Sequence, residues 1–439
     1  MCSYKKTFKL RQNTPLWHSQ HMQDGATLRA SEVKPKLDQF LIANCPDIQL
    51  NEKWFVGEDR KALDYKLRIY SEGRMQKVEG KLPLFFGNMG SSKKPDELLV
   101  SGKEAVFSEE NDGLCLEFFC LHSELLTHIS DHLNEFFLIH NFGTRQSKGY
   151  GSFSVVKEAE DGFEDRGDLL GVYQVGDGVE LYLRSFFVVD VQGSKKPFGQ
   201  LFEAIETFSK SIRSGINDCK NLCFKGTYCE FRRFSKDLDV NLCKSRDRCE
   251  HKKKCSVFYS KSFLYYYVTN RHGEDWDKRK LKRLFINGEK VEDLKLWRDM
   301  LGLAENTKLN KGILIKDGGS DFRRFKSPIF IKPVKMGHQY IVYVGYYNTI
   351  EVDRVWEKTV TLKYKGDAAE VVVRGNNMAP LDLNDYFNYF LENGKDLLGK
   401  VNARVYEYRG VRQQGNCSGN PYYKHLQSIY MDLKNNRRQ

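Results

Sequence analysis

The segment Gly143-Thr144-Arg145-Gln146-Ser147-Lys148-Gly149-Tyr150-Gly151 gathers three glycines, two cations and an aromatic ring into nine residues. Glycine takes positive φ freely and lets backbone N–H groups approach an anion closely. Arg145 and Lys148 would neutralise a phosphate. Tyr150 would stack a base or sugar. The segment is therefore expected to contact phosphate, with Gly143, Gly149 and Gly151 supplying the close approach. The bland alternative is a tight connection with solvated charges.

A second constellation is rich in cysteine. Cys219, Cys223, Cys229, Cys243, Cys249 and Cys255 fall in one stretch, with His251 inside it. Zinc takes four Cys or His ligands in a tetrahedron, and short pairs usually supply two of them. No Cys-x2-Cys pair occurs here, so structural zinc and a set of free thiols both stay open, and no four ligands stand out. The stretch also carries 11 Lys or Arg against 5 Asp or Glu. It is expected to be a basic insertion spanning 217–257.

Histidine offers a third chemistry. His18 and His21 follow the first strand-like segment. A general base needs a positioned partner, so catalysis by either is the lesser reading. The chain lacks a Walker loop, a Gly-x-Ser-x-Gly and a His-Glu-x-x-His.

Elements must position these groups. Thr7 to Trp17 reads as a strand and its exit, and Leu28 to Leu41 as a helix with Ser31 at its N-cap. Leu63 to Lys77 and Leu114 to Leu121 read as strands. Leu125, Leu126, Ile129, Leu133, Phe136 and Phe137 mark an amphipathic helix over Ser123–His140. The glycine loop and a short strand, Ser152–Val156, follow. This β-α-β-β-α-β order is the ferredoxin-like arrangement. The acidic stretch 158–168 reads as a linker. The fold class expected is α+β, with a first ferredoxin-like domain over 1–160 and a second, elaborated one over 165–439.

Bulk numbers agree with a folded, anion-seeking chain. Its 439 residues suit two domains. Aromatics make up 13%, too many for a disordered chain. Net charge is +12, which favours an anionic partner. No signal peptide or apolar run of bilayer length is visible, so a cytoplasmic location is expected, without membrane.

A glycine-rich loop after the second helix of such a domain resembles the repeat-associated mysterious protein (RAMP) superfamily of CRISPR proteins. Leu10-Arg11-Gln12-Asn13-Thr14-Pro15-Leu16 is similar to the first strand of these proteins. Leu28 to Phe40 resembles the first-helix motif of the head subunit of the type III-B Cmr complex. Arg29, Lys34, Leu37 and Phe40 match it in kind, whereas Ala30, Pro35, Asp38 and Gln39 depart. The resemblance implies two ferredoxin-like domains and a non-catalytic, structural role in antiviral defence. It implies guide RNA, target RNA and other RAMP subunits as partners, with the chain at the 3′ head end. Cleavage would belong to other subunits. RNA contacts are then expected from Arg29, Ser31, Lys34, Lys36, Gly143, Arg145, Lys148, Gly149, Tyr150 and Gly151. The competing reading is a guide-processing endoribonuclease using His18 or His21; the mid-chain position of the loop argues against it.

Overall fold

The computed structural model describes residues 4–17, 27–71, 75–78, 106–108, 113–156, 169–176, 178–218, 254–303, 305–309, 312–319, 325–348, 356–366, 370–399, 403–407, 412–414 and 421–437. The first domain is built from β1 (Lys5–Gln12), α1 (Ala30–Asn44), β2 (Lys66–Ser71), β3 (Leu114–Phe119), α2 (Ser123–Ile139) and β4 (Phe153–Val155). Its sheet runs in the order β4-β1-β3-β2, with every neighbouring pair antiparallel. That is the ferredoxin-like topology expected from the order of elements.

The helical periodicity places the core as expected. Val33, Leu37, Phe40 and Leu41 of α1 are buried, as are Leu125, Leu126, Ile129, Leu133, Phe136 and Phe137 of α2. The start of α1 differs from expectation. Arg29, not Ser31, is the N-cap, and no side chain caps the helix. Ser31 lies within the first turn and is exposed. Pro35 sits inside the helix, on its exposed side.

The second domain begins with a hairpin, β5 (Gly171–Gly176) and β6 (Val179–Asp190), followed by α3 (Pro197–Arg213). Further along come β7 (Ile216–Asp218), β8 (Lys254–Ser260), α4 (Asp277–Asn287), β9 (Asn306–Leu309), β10 (Gly312–Asp317), β11 (Ile329–Met336) and β12 (Gln339–Asn348). The chain ends with β13 (Thr361–Lys365), β14 (Glu370–Val373), α5 (Leu383–Gly399), β15 (Ala403–Glu407), β16 (Arg412–Gln414) and α6 (Pro421–Asn435). The central sheet has the order β11-β12-β6-β5, again antiparallel throughout. Counted from β6, this is a ferredoxin-like sheet in which β5, which precedes the first strand, occupies the place of the fourth. Two further four-stranded sheets, β7-β8-β15-β16 and β9-β10-β13-β14, elaborate the domain.

The two domains share a core. Side chains alternate across a strand, so each face of the central sheet takes every second residue. Leu183, Phe186, Phe330, Val334, Ile341 and Tyr343 join the core of the first domain. Phe187, Ile331, Val342 and Val344 face the other way, toward Leu201, Ile205 and Phe208 of α3 and Ile429 of α6. Strands buried on both faces read as continuous apolar runs, which is why Phe186–Val189 and Tyr340–Val344 show no polar alternation. Among the described residues no helix is long and apolar enough to cross a membrane.

Candidate nucleic-acid interface

The glycine loop sits at the junction between the domains. It leaves α2, makes one 3-10 turn over Gln146–Lys148 and enters β4. Gly143, Arg145, Gly149 and Gly151 all adopt left-handed φ, between +63° and +76°. For the glycines the cause is close approach by the protein's own backbone and side chains. A Cβ on Gly143 would lie 2.4 Å from Trp17 O, and one on Gly151 would lie 2.0 Å from Phe142 O. On Gly149 it would lie 2.7 Å from Pro333 Cγ, in the second domain. Packing within the protein is therefore reason enough for glycine at these three positions. Tyr150 packs likewise. Expected to offer its ring to a base, it is fully buried and stacked on Phe202 of α3 at 4.0 Å, with the Trp17 ring tilted against it at 5.8 Å. Phe202 occupies a stacking face of the ring, and burial closes the ring to a base.

The cations behave differently. Arg145, Lys148 and Lys36 are half-buried. Lys36 donates to Asn141 O at 3.0 Å and to Gln146 Oε1 at 3.1 Å, so α1 is tied to the loop. Glu32 of the same helix accepts from Gly143 N. Arg213, at the end of α3, donates to Arg298 O and Gly302 O. Crowding and burial together disfavour the charged forms. Burial, with Arg213 and Arg145 nearby, pulls the Lys148 ammonium down to about 7. Burial pulls Lys36 down to about 8, against the attraction of Glu32, with exposed Lys326 adding repulsion. Arg213 is lowered to about 10, first by burial and then by Arg298. Sequence spacing brought Lys36, Arg145 and Lys148 into view. It missed Arg213 and Arg298, which carry no local motif.

Lys34 turns inward. Its Nζ donates to Asp38 Oδ2 at 2.8 Å and to Leu63 O at 2.8 Å, and lies over the Tyr65 ring. Asp38 is buried, so the residue that departs from the head-subunit motif is the partner of Lys34 within the domain. Arg29 is half-buried at the helix start. His18 and His21 lie outside the described residues. So do Cys219, Cys223, Cys229, Cys243 and Cys249, while Cys255 is described only as a backbone position of β8.

What holds the loop in place is the edge strand β11. An edge presents unpaired backbone groups that must be covered. Asn141 Nδ2 donates to Ile331 O at 2.9 Å, Ser152 Oγ donates to Pro333 O at 2.6 Å, and Lys335 N donates to Asn13 Oδ1 at 3.1 Å. Pro333 has no N–H to satisfy, which suits an edge position. On the face of β11 toward the first domain, fully buried Lys332 donates to Phe137 O, His140 O and Phe153 O at 2.7, 2.8 and 3.0 Å. Phe137 and His140 close the C-terminus of α2, where backbone carbonyls lack helical partners and the helix dipole is negative. One side chain from the second domain thus caps the helix that launches the loop. Nothing local in the sequence signals this; only a lysine flanked by Phe330, Ile331, Pro333 and Val334 hints that the charge is buried.

Two family models match the chain. The Cmr1 N-terminal domain matches residues 3–216 and the Cmr1 C-terminal domain residues 259–412. A solved structure, the apo form of Cmr1 from Pyrococcus furiosus, aligns over 93% of this chain and 99% of its own, at 9% identity and a TM-score of 0.36. No curated protein matches the chain. With most of both halves matched, the chain belongs to the Cmr1 family of type III-B CRISPR complex subunits.

Proposed function

We propose that the chain is a non-catalytic RNA-binding subunit that helps hold guide RNA and target RNA at the 3′ head end of the Cmr complex, in antiviral defence. The carrying observation is the basic cluster at the domain junction. Lys148 is flanked by Arg145 and Arg213, Arg298 lies beside Arg213, and Lys36 reaches Gln146 of the same loop, while burial above all lowers the proton affinity of Lys36, Lys148 and Arg213. A bound phosphodiester would favour the ammonium of Lys148, which burial pulls down to about 7, so part of the cost of burying that charge is recovered when RNA is present. Arg29 and exposed Ser31 extend the same surface along the start of α1. In this reading the protein holds backbone and shape, and base pairing reads sequence. Other subunits of the complex are the protein partners.

Lys148→Met tests this. The variant keeps the stem of the side chain and removes the crowded ammonium. RNA affinity measured by fluorescence anisotropy is expected to fall about tenfold, or about 1.4 kcal/mol. The slope of log K against log salt should drop by about 1, as for one lost phosphate contact. Melting temperature without RNA, measured on the same variant, separates a lost contact from a lost fold. Unchanged RNA affinity would count against the proposed site. In the same samples labelled repeat RNA should be recovered at full length. Specific cleavage that disappears in His18→Ala would instead favour a processing nuclease.

A further inference from the structure

We propose that Cys45, His128 and His132 form a zinc site on the first domain, away from the glycine loop. One thiol sulfur and two imidazole nitrogens lie within 4.8 Å of one another. His128 and His132 are one turn apart on α2, so their rings leave the same face of the helix. Cys45 is the C-cap of α1, held by its N–H to Leu41 O at 2.9 Å, and is buried. Two adjacent helices therefore converge three metal-ligating side chains on one point.

The donor set selects the metal. Sulfur and imidazole suit zinc and reject the hard cations, which want oxygen. Zn–S of about 2.3 Å and Zn–N of about 2.1 Å put tetrahedral ligands roughly 3.5 Å apart. From 4.8 Å, small side-chain rotations close the gap. Phe40 and Trp54 already pack on the rings of His132 and His128, at 6.4 and 5.7 Å between centroids, which limits where those rings can turn. Glu135 Oε2 lies 3.8 Å from His132 Nδ1. It supplies either the fourth ligand or the carboxylate that orients a ligating imidazole. Water takes the fourth position in the second case.

Zinc there would staple the end of α1 to the middle of α2. The first helix carries Glu32 and Lys36, and the second launches the glycine loop, so the metal would brace both elements that position the basic cluster.

The test uses the full chain, stripped of metal and titrated with Co2+, whose thiolate-to-metal absorption reports sulfur ligation. The cysteines between Cys219 and Cys255 can bind cobalt of their own, so the readout is the difference between wild type and variants. Cys45→Ser is expected to lose one equivalent of bound cobalt together with its share of the thiolate band. His132→Gln, at a partly exposed position, should weaken that equivalent at least about tenfold. Added Zn2+ should raise the melting temperature of the wild type and not of either variant. Superimposable titrations for wild type and His132→Gln would overturn the proposal, whether or not Cys45→Ser folds. So would cobalt binding that lacks any band sensitive to Cys45.

Discussion

Lys332→Met is expected to lower stability to chemical denaturation by roughly 3 kcal/mol, the scale for leaving several buried carbonyls without their donor. Methionine fills the same volume but donates nothing. The carbonyls of Phe137, His140 and Phe153 would all lose the Lys332 donor at a site closed to water. The loss falls on the seam between domains, so the first domain should open at lower denaturant than in the wild type. The pH dependence has a definite sign. Burial, reinforced by Lys36, pulls Lys332 well below its ordinary 10.5, although three carbonyl acceptors favour the ammonium. Between the lowered value and 10.5 the unfolded chain binds more protons at this site than the folded one. Stability contributed here therefore rises with pH across that window. Lys332→Met should remove that slope, measured as the difference in unfolding free energy between wild type and variant from neutral to alkaline pH. A variant as stable as the wild type would mean the helix end finds other donors.

How far the sequence reaches is set by distance along the chain. The β-α-β-β-α-β order and the apolar faces of α1 and α2 are local, and both are legible from periodicity. The position of the glycine loop is legible for the same reason. What the loop touches is not. Ser152 meets Pro333 and Asn141 meets Ile331 across separations of 181 and 190 residues, and no pattern of neighbours encodes such a pairing. Tyr150 illustrates the consequence. Beside two cations it reads as a base-stacking ring, yet its stacking partner is Phe202, which belongs to the first helix of the other domain. Lys34 and Lys36 show the limit at shorter range. Two residues apart on one helix, they take different directions, and Lys34 finds buried Asp38 while Lys36 reaches the loop. In the second domain the strand that fills the fourth place precedes the first, so counting elements from β6 onward leaves the sheet one strand short.

Gly151→Ala separates the two uses a glycine loop can have. If these glycines served mainly to admit phosphate, an added methyl would cost RNA affinity and little stability. The geometry predicts the reverse. Gly151 has φ +65° and would place its Cβ 2.0 Å from Phe142 O and 2.8 Å from Phe142 C. Its backbone cannot retreat, because its N–H donates to Pro15 O and its carbonyl accepts from Phe142 N, both at 2.9 Å. Left-handed φ costs an alanine about 1–2 kcal/mol. Forcing apart the pinned segments adds strain of the same order or more, so a total loss of about 3 kcal/mol or above is expected. Gly193→Ala is the internal control. It has φ +68° with nothing within 4 Å of the added Cβ, so it should show the conformational cost alone. The difference between the two variants in unfolding free energy isolates close approach from backbone preference. Because Ser152, the next residue, donates to Pro333 O, displacement at Gly151 should also loosen the seam that Lys332 secures. Gly151→Ala and Lys332→Met should then be less than additive when combined, since each releases the same contact between domains. Equal losses for Gly151→Ala and Gly193→Ala would instead leave φ as the whole reason for glycine, and the loop free to shape itself around a ligand.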